Sequence, residues 1–138
     1  MSMTRIWIHA VWSTKKRMPV LTRAIRKELF EHIMTLGRPK GFLIDRVNGY
    51  NDHVHVLFAL RSTQCIAEIV NHLKGSSSRY INRNKLTYST FEWQSDYYAC
   101  SVSDIGLKNV QDYIDNQEAH HQSIPFKIEL MDLVSGED

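Results

Sequence analysis

The apolar positions of the chain follow two different periods. Residues 4–14 (TRIWIHAVWST), 42–50 (FLIDRVNGY) and 53–60 (HVHVLFAL) are dense in β-branched and aromatic side chains and read as strands, and residues 96–102 (DYYACSV) read as a fourth. Between them the period lengthens. In LTRAIRKELFEHIMTLG the apolar residues Ile25, Leu29, Ile33 and Leu36 recur at helical spacing before Gly37. Ile66, Ile69, Val70, Leu73 and Ile81 do the same through the interruption KGSSSR, with Ser62 and Thr63 as the candidate cap. Asn51 and Asp52 mark a tight turn between the second and third strands, residues 84–95 read as loop, and residues 104–120 read as a last helix.

The order β-α-β-β-α-β-α predicts an α+β fold. It is that of a ferredoxin-like (RRM-like) split βαβ antiparallel sheet with both crossover helices on one face and an additional C-terminal helix that carries Tyr113. The other sheet face is expected to be open. At 138 residues one domain suffices, placed over residues 1–131, with residues 132–138 as a loose tail.

Composition narrows the class. No apolar run approaches the roughly 20 residues that a membrane span needs. The start MSMTRIWIHAVWSTKKR lacks the apolar stretch and cleavage site of a signal peptide, so a cytoplasmic protein with no membrane partner is expected. Cys65 and Cys100 form no CxxC pattern and are expected to be core thiols. The net charge of +2 hides an asymmetry: residues 1–40 hold nine Lys/Arg against Glu28 and Glu31, a balance of +7, and residues 104–138 hold eight acids against Lys108 and Lys127, a balance of −6. A basic first third is compatible with a phosphate backbone as partner, and equally with a solvated helix face.

Candidate chemistry begins in the third strand. Alternation puts Val54, Val56, Phe58 and Leu60 on one face and His53 and His55 together on the other. A His-x-His pair on a rigid strand can hold a divalent metal, or it can be a polar patch on a solvated face; both readings stand on the pattern alone. A histidine-triad nucleotide hydrolase would need a third His where Leu57 stands, so that reading fails. The last helix offers Tyr113 and Gln117, four apart and so on one helical face, beside the stripe Leu107, Val110 and Ile114. The amide oxygen can serve a hard divalent ion, and the hydroxyl can attack a phosphate polarised by that ion. A tyrosine that merely packs the helix on the sheet explains the same spacing. His120 and His121 are further ligand candidates, or a solvated helix end.

These residues together resemble the small single-tyrosine HUH transposases of bacterial insertion sequences and their repeat-associated relatives. The match runs through HAVWSTKKRMPVL, NDHVHVLF, LKGSSSRYIN, FEWQSDYYACSVS and VQDYIDNQEAHH, five motifs in the family's order. The resemblance implies a single-stranded DNA endonuclease and strand transferase. His53, His55 and Gln117 would hold Mg²⁺ or Mn²⁺, and Tyr113 would attack a phosphodiester, giving a 5′-phosphotyrosine and a free 3′-OH. It also implies DNA hairpins at element ends as substrates, and a homodimer in which the tyrosine helix of one subunit can complete the histidine site of the other. Lys15, Lys16, Arg17, Lys74, Arg79 and Arg83 are the candidates for phosphate contacts. Two competitors remain: a non-catalytic single-stranded RNA or DNA binding module, which would carry stacking aromatics on the open sheet face, and a metal-dependent phosphoesterase that uses water.

Overall fold

A computed structural model describes residues 2–117 of the chain. Four strands, β1 (Trp7–Ser13), β2 (Leu43–Gly49), β3 (His53–Ala59) and β4 (Tyr98–Val102), form one antiparallel sheet in the spatial order β2-β3-β1-β4. Helices α1 (Arg23–Leu36), α2 (Ile66–Arg83) and α3 (Leu107–Asp115) complete the chain's regular elements among the described residues, apart from short 3-10 turns at Lys15–Arg17 and Arg38–Lys40. The fold class is α+β, as the alternating periods predict. The expected tail, His120 and His121, and the end of the predicted last helix lie outside the described residues.

The Thr22 hydroxyl accepts from the Ile25 amide at 3.3 Å and caps α1, one of the orphan donors every helix start leaves. The expected cap of α2 at Ser62 or Thr63 is displaced: Cys65 holds the N-cap position, and its exposure also overturns the expectation of two core thiols, Cys100 being half-buried. α2 runs unbroken through Gly75–Ser78, where Ser77 and Ser78 return their hydroxyls to the carbonyls of Lys74 and Gly75, at 3.1 and 3.2 Å. Small residues there admit a neighbour. Trp93 donates its indole N–H to the buried Ser77 hydroxyl at 2.9 Å, so part of the predicted loop enters the core with Phe91.

The sheet separates two cores. On one side Ile8, Ala10 and Trp12 of β1 and Val54, Val56 and Phe58 of β3 pack under Leu29 and Ile33 of α1 and Ile69, Val70, Leu73 and Ile81 of α2. On the other side Leu57, Val102, Val110 and Ile114 form a smaller cluster beneath α3. This corrects the expectation of an open second face. α3 covers it, and the reason is the stripe Leu107, Val110 and Ile114, which needs an apolar seat that Leu57 and Trp7 supply.

The β2–β3 hairpin closes tightly around Asn51. Tyr50 donates its amide to the His53 carbonyl at 3.0 Å, and a Cβ on Gly49 would collide with that same carbonyl oxygen. Glycine at 49 therefore lets the two backbones approach where the first histidine begins its strand.

Candidate active site

The register across three strands gathers the site. Ser13 pairs with His53 and Val11 with His55, while Asn48 of β2 faces His55 from the other side. His53 and His55 point to the α3 face, as alternation requires, but both are fully buried rather than solvated. Their rings lie 5.1 Å apart at 75°. Tyr113 of α3 stands edge-on to His55, ring centroids 5.7 Å apart, and Gln117 is buried just past the helix end. His53, His55 and Tyr113 thus meet on the α3 face of the sheet within a single chain, and the buried Gln117 side chain is held on the Tyr113 carbonyl.

Three polar contacts seat α3 over the histidines. The Asn48 amide donates to the Ile114 carbonyl at 2.8 Å, the Gln111 amide donates to the Asp45 carboxylate at 2.8 Å, and the Arg46 guanidinium reaches the Asp115 carboxylate at 3.4 Å. The first of these adds a side-chain donor to a carbonyl in the last turn of α3, which the Asn116 amide also reaches. Gln117 donates its amide N–H to the Tyr113 carbonyl at 3.2 Å, so its Oε1 is the end that can ligate a cation.

Two residues at the site escaped the sequence reading. Asp52, read as a turn former, accepts from His53 Nδ1 at 2.8 Å, and Arg17 meets its other oxygen at 3.4 Å. Burial works against the Asp52 carboxylate, but the hydrogen bond and charge of His53 and the Arg17 guanidinium outweigh it, and the carboxyl lies below its ordinary range. In the neutral form of His53, its hydrogen bond to an ionised Asp52 puts the proton on Nδ1 and leaves the lone pair on Nε2. His9 of β1 is the second. It is fully buried, and its Nε2 lies 2.8 Å from His55 Nδ1. A carboxylate directly before the His-x-His pair and a histidine at an alternating strand position were the available signals.

A divalent cation fits this set. Among the described residues no group of three or more His, Cys, Asp and Glu side chains is arranged to hold a metal. The donors present are of another kind: two imidazoles with buried Nε2 atoms on one sheet face, and the neutral amide oxygen of Gln117, one turn beyond Tyr113. The carboxylate behind His53 is the outer partner that metal-binding histidines ordinarily have.

The basic candidates divide by position. Lys15, Lys16 and Arg17 follow β1 at the sheet end where His53 starts, and Lys16 and Arg17 both take left-handed backbone angles, φ 57° and 54°. The turn is held by the Thr14 amide on the Asp52 carbonyl at 2.8 Å and the Lys15 amide on the Glu92 carbonyl at 3.0 Å. Lys74 has an internal task, since its ammonium donates to the carbonyls of Gln94, Ser95 and Asp96 at 2.7, 3.1 and 3.3 Å, and burial pulls its pKa down. Arg79 and Arg83 are exposed on α2, on the sheet side away from the histidines. The stacking platform of a binding module is not what this face carries: histidines occupy it and α3 covers it.

Comparison with known proteins follows the same line. Residues 2–117 match the family described as "Transposase IS200 like". The chain is 26% identical over 114 residues to the ISDra2 transposase TnpA of Deinococcus radiodurans, which covers 79% of this chain and 81% of that protein. Two solved structures share the fold: a protein from Deinococcus radiodurans R1 assigned as a transposase, with 24% identity, TM-score 0.64, and coverage of 84% of this chain and 93% of that one, and a REP-associated tyrosine transposase bound to a REP hairpin, with 16% identity, TM-score 0.63, and coverage of 90% and 76%.

Proposed function

This chain belongs to the IS200-like transposase family, and from that membership and the geometry of the pocket we propose that it cuts and rejoins single-stranded DNA with Tyr113 as nucleophile. The observation that carries the reading is the Tyr113 ring 5.7 Å from His55, with the buried Gln117 side chain bonded to the Tyr113 carbonyl. In the cleavage step the Tyr113 oxygen bonds to phosphorus and the bond from phosphorus to the 3′ oxygen breaks. The 3′ oxygen leaves as a hydroxyl, taking up the proton that the phenol gives up, and the 5′ end stays on the tyrosine. Reversal by another 3′-OH reseals a strand without an outside energy source.

His53, His55 and Gln117 would hold Mg²⁺ or Mn²⁺. Bound there, the ion would polarise the scissile phosphate and lower the barrier to attack by a phenol that ordinarily ionises near pH 10. Asp52 and Arg17 orient His53, and α3 delivers Tyr113.

Hairpin-bearing DNA ends are the substrates this reading favours, supported by the shared fold with a tyrosine transposase bound to a REP hairpin. The strand order with two crossover helices on one face supports the ferredoxin-like assignment. A homodimer belongs to the same reading, although α3 already seats on its own sheet, so exchange of helices is not needed to assemble the pocket. A monomeric mass by light scattering at working concentration would remove the dimer. No described helix is long and apolar enough to cross a membrane.

The Lys15–Arg17 turn is the preferred phosphate contact because it borders the His53 end of the sheet. Replacing Lys15 and Lys16 by Ala should reduce the slope of log affinity against log salt for single-stranded DNA by about 1.4. An unchanged slope removes the turn from the interface.

Incubation with hairpin-bearing single-stranded DNA and Mn²⁺, followed by denaturing electrophoresis, tests the activity. A slower-migrating protein–DNA adduct is expected from the native chain and none from Tyr113→Phe. Cleavage that persists in Tyr113→Phe without an adduct would instead identify a phosphoesterase that uses water.

A further inference from the structure

His9 is a buried imidazole that the proposed cleavage does not use directly. β1 alternates Ile8, Ala10 and Trp12 toward α1 and α2, so Trp7, His9 and Val11 face α3. At this place an apolar residue would pack without desolvation cost, and a histidine is tolerated only with a polar partner. The partner is His55: Nε2 of His9 lies 2.8 Å from Nδ1 of His55. The ring centroids are 5.1 Å apart and the planes only 26° from parallel. A nitrogen-to-nitrogen distance that short at that centroid separation means the rings meet edge to edge in nearly one plane, as an N–H···N hydrogen bond requires.

Such a bond holds one proton. If His9 donates, the proton of neutral His55 must sit on Nε2, and His55 cannot ligate through that atom. If His55 donates from Nδ1, its Nε2 carries the lone pair and His9 is the acceptor. The hydrogen bond to Asp52 selects the corresponding tautomer of neutral His53, proton on Nδ1 and lone pair on Nε2. Only the second arrangement gives the pair matching donor atoms on one sheet face.

We infer that His9 is a positioning residue for the metal site, the acceptor that holds His55 in the Nδ1–H tautomer and aims its Nε2 at a divalent cation. The inference rests on the reading of His53 and His55 as ligands. A neutral acceptor suits the place: His9 is fully buried, and a second carboxylate there would need its own counter-charge, which Arg17 provides only at Asp52.

The test uses the full chain, stripped of metal, titrated with Mn²⁺ by calorimetry. His9→Phe keeps the ring volume and removes the acceptor; His9→Gln places an amide oxygen near the position of the lost nitrogen. Weakening of about 10–100-fold is expected for His9→Phe, the usual cost of losing an outer partner, with recovery to within a few-fold for His9→Gln. His53→Ala serves as reference. If His53→Ala binds Mn²⁺ as the native chain does, the ligand reading itself fails; if His53→Ala loses affinity while a folded His9→Phe does not, only the role of His9 fails. Equal losses in Phe and Gln variants would also overturn it. Should His9→Phe not fold, nitrogen NMR of the native imidazoles decides, with the proton of His55 expected on Nδ1 and the inference overturned by a proton on Nε2.

Discussion

His53 and His55 are two positions apart and chemically identical, yet the fold gives them different partners, a carboxylate for one and an imidazole for the other. Their shared face, and that of Tyr113 and Gln117, was legible because it follows from local periodicity. His9 was not, because its relation to His55 runs diagonally across two strands 46 residues apart and exists only once the register does. Elsewhere a histidine serves stability. His32 of α1 stacks on Tyr80 of α2, centroids 4.3 Å apart, and burial lowers its pKa below 6.5, against a smaller opposing contribution from Ser76. The folded chain thus favours neutral His32, so its contribution is complete above pH 6.5 and is lost as pH falls from there toward the folded value. The urea midpoint should fall between pH 7 and pH 5, and less so in His32→Phe, which keeps the stacking. His72 shifts in the same direction, mainly by burial, and accounts for part of the fall that remains. Identical pH profiles would contradict this role.

At the scale of elements, the strands and first two helices were legible from period alone, with ends moved by a few residues. The fourth strand begins at Tyr98 rather than residue 96, and the first at Trp7 rather than residue 4. The seat of α3 was not legible, since an amphipathic stripe shows that a helix must pack and not on what. Leu57 and Trp7 provide the surface, and Asn48 the polar latch. α3 is short, nine residues, so its position depends on few contacts. Asn48→Ala removes a donor to the Ile114 carbonyl and should cost about 0.5–1.5 kcal/mol, felt mainly as local opening. Hydrogen exchange should then speed up in α3 while β1 and β3 stay protected. Uniform loss of protection, or none, would show that α3 is not a separately docked unit.

Across the whole molecule the sheet divides labour. The side with α1 and α2 holds the larger core, and the side with α3 holds the histidines, so the stabilising core and the reacting groups are separated by one layer of strands. The basic Lys15–Arg17 turn at the edge of that layer touches the site through Arg17 and Asp52, linking a region suited to phosphate with the residue that orients His53. The charge asymmetry visible in the sequence did not distinguish this turn from Lys74, whose ammonium the fold uses to hold the approach to β4. On the proposed function, Tyr113 becomes covalently joined to DNA beside His55. Protease digestion of the adduct formed on hairpin-bearing single-stranded DNA, with mass spectrometry of the nucleotide-bearing peptide, reads this directly. The account predicts a nucleotide 5′-phosphate on the peptide containing Tyr113; attachment to any other residue would contradict it.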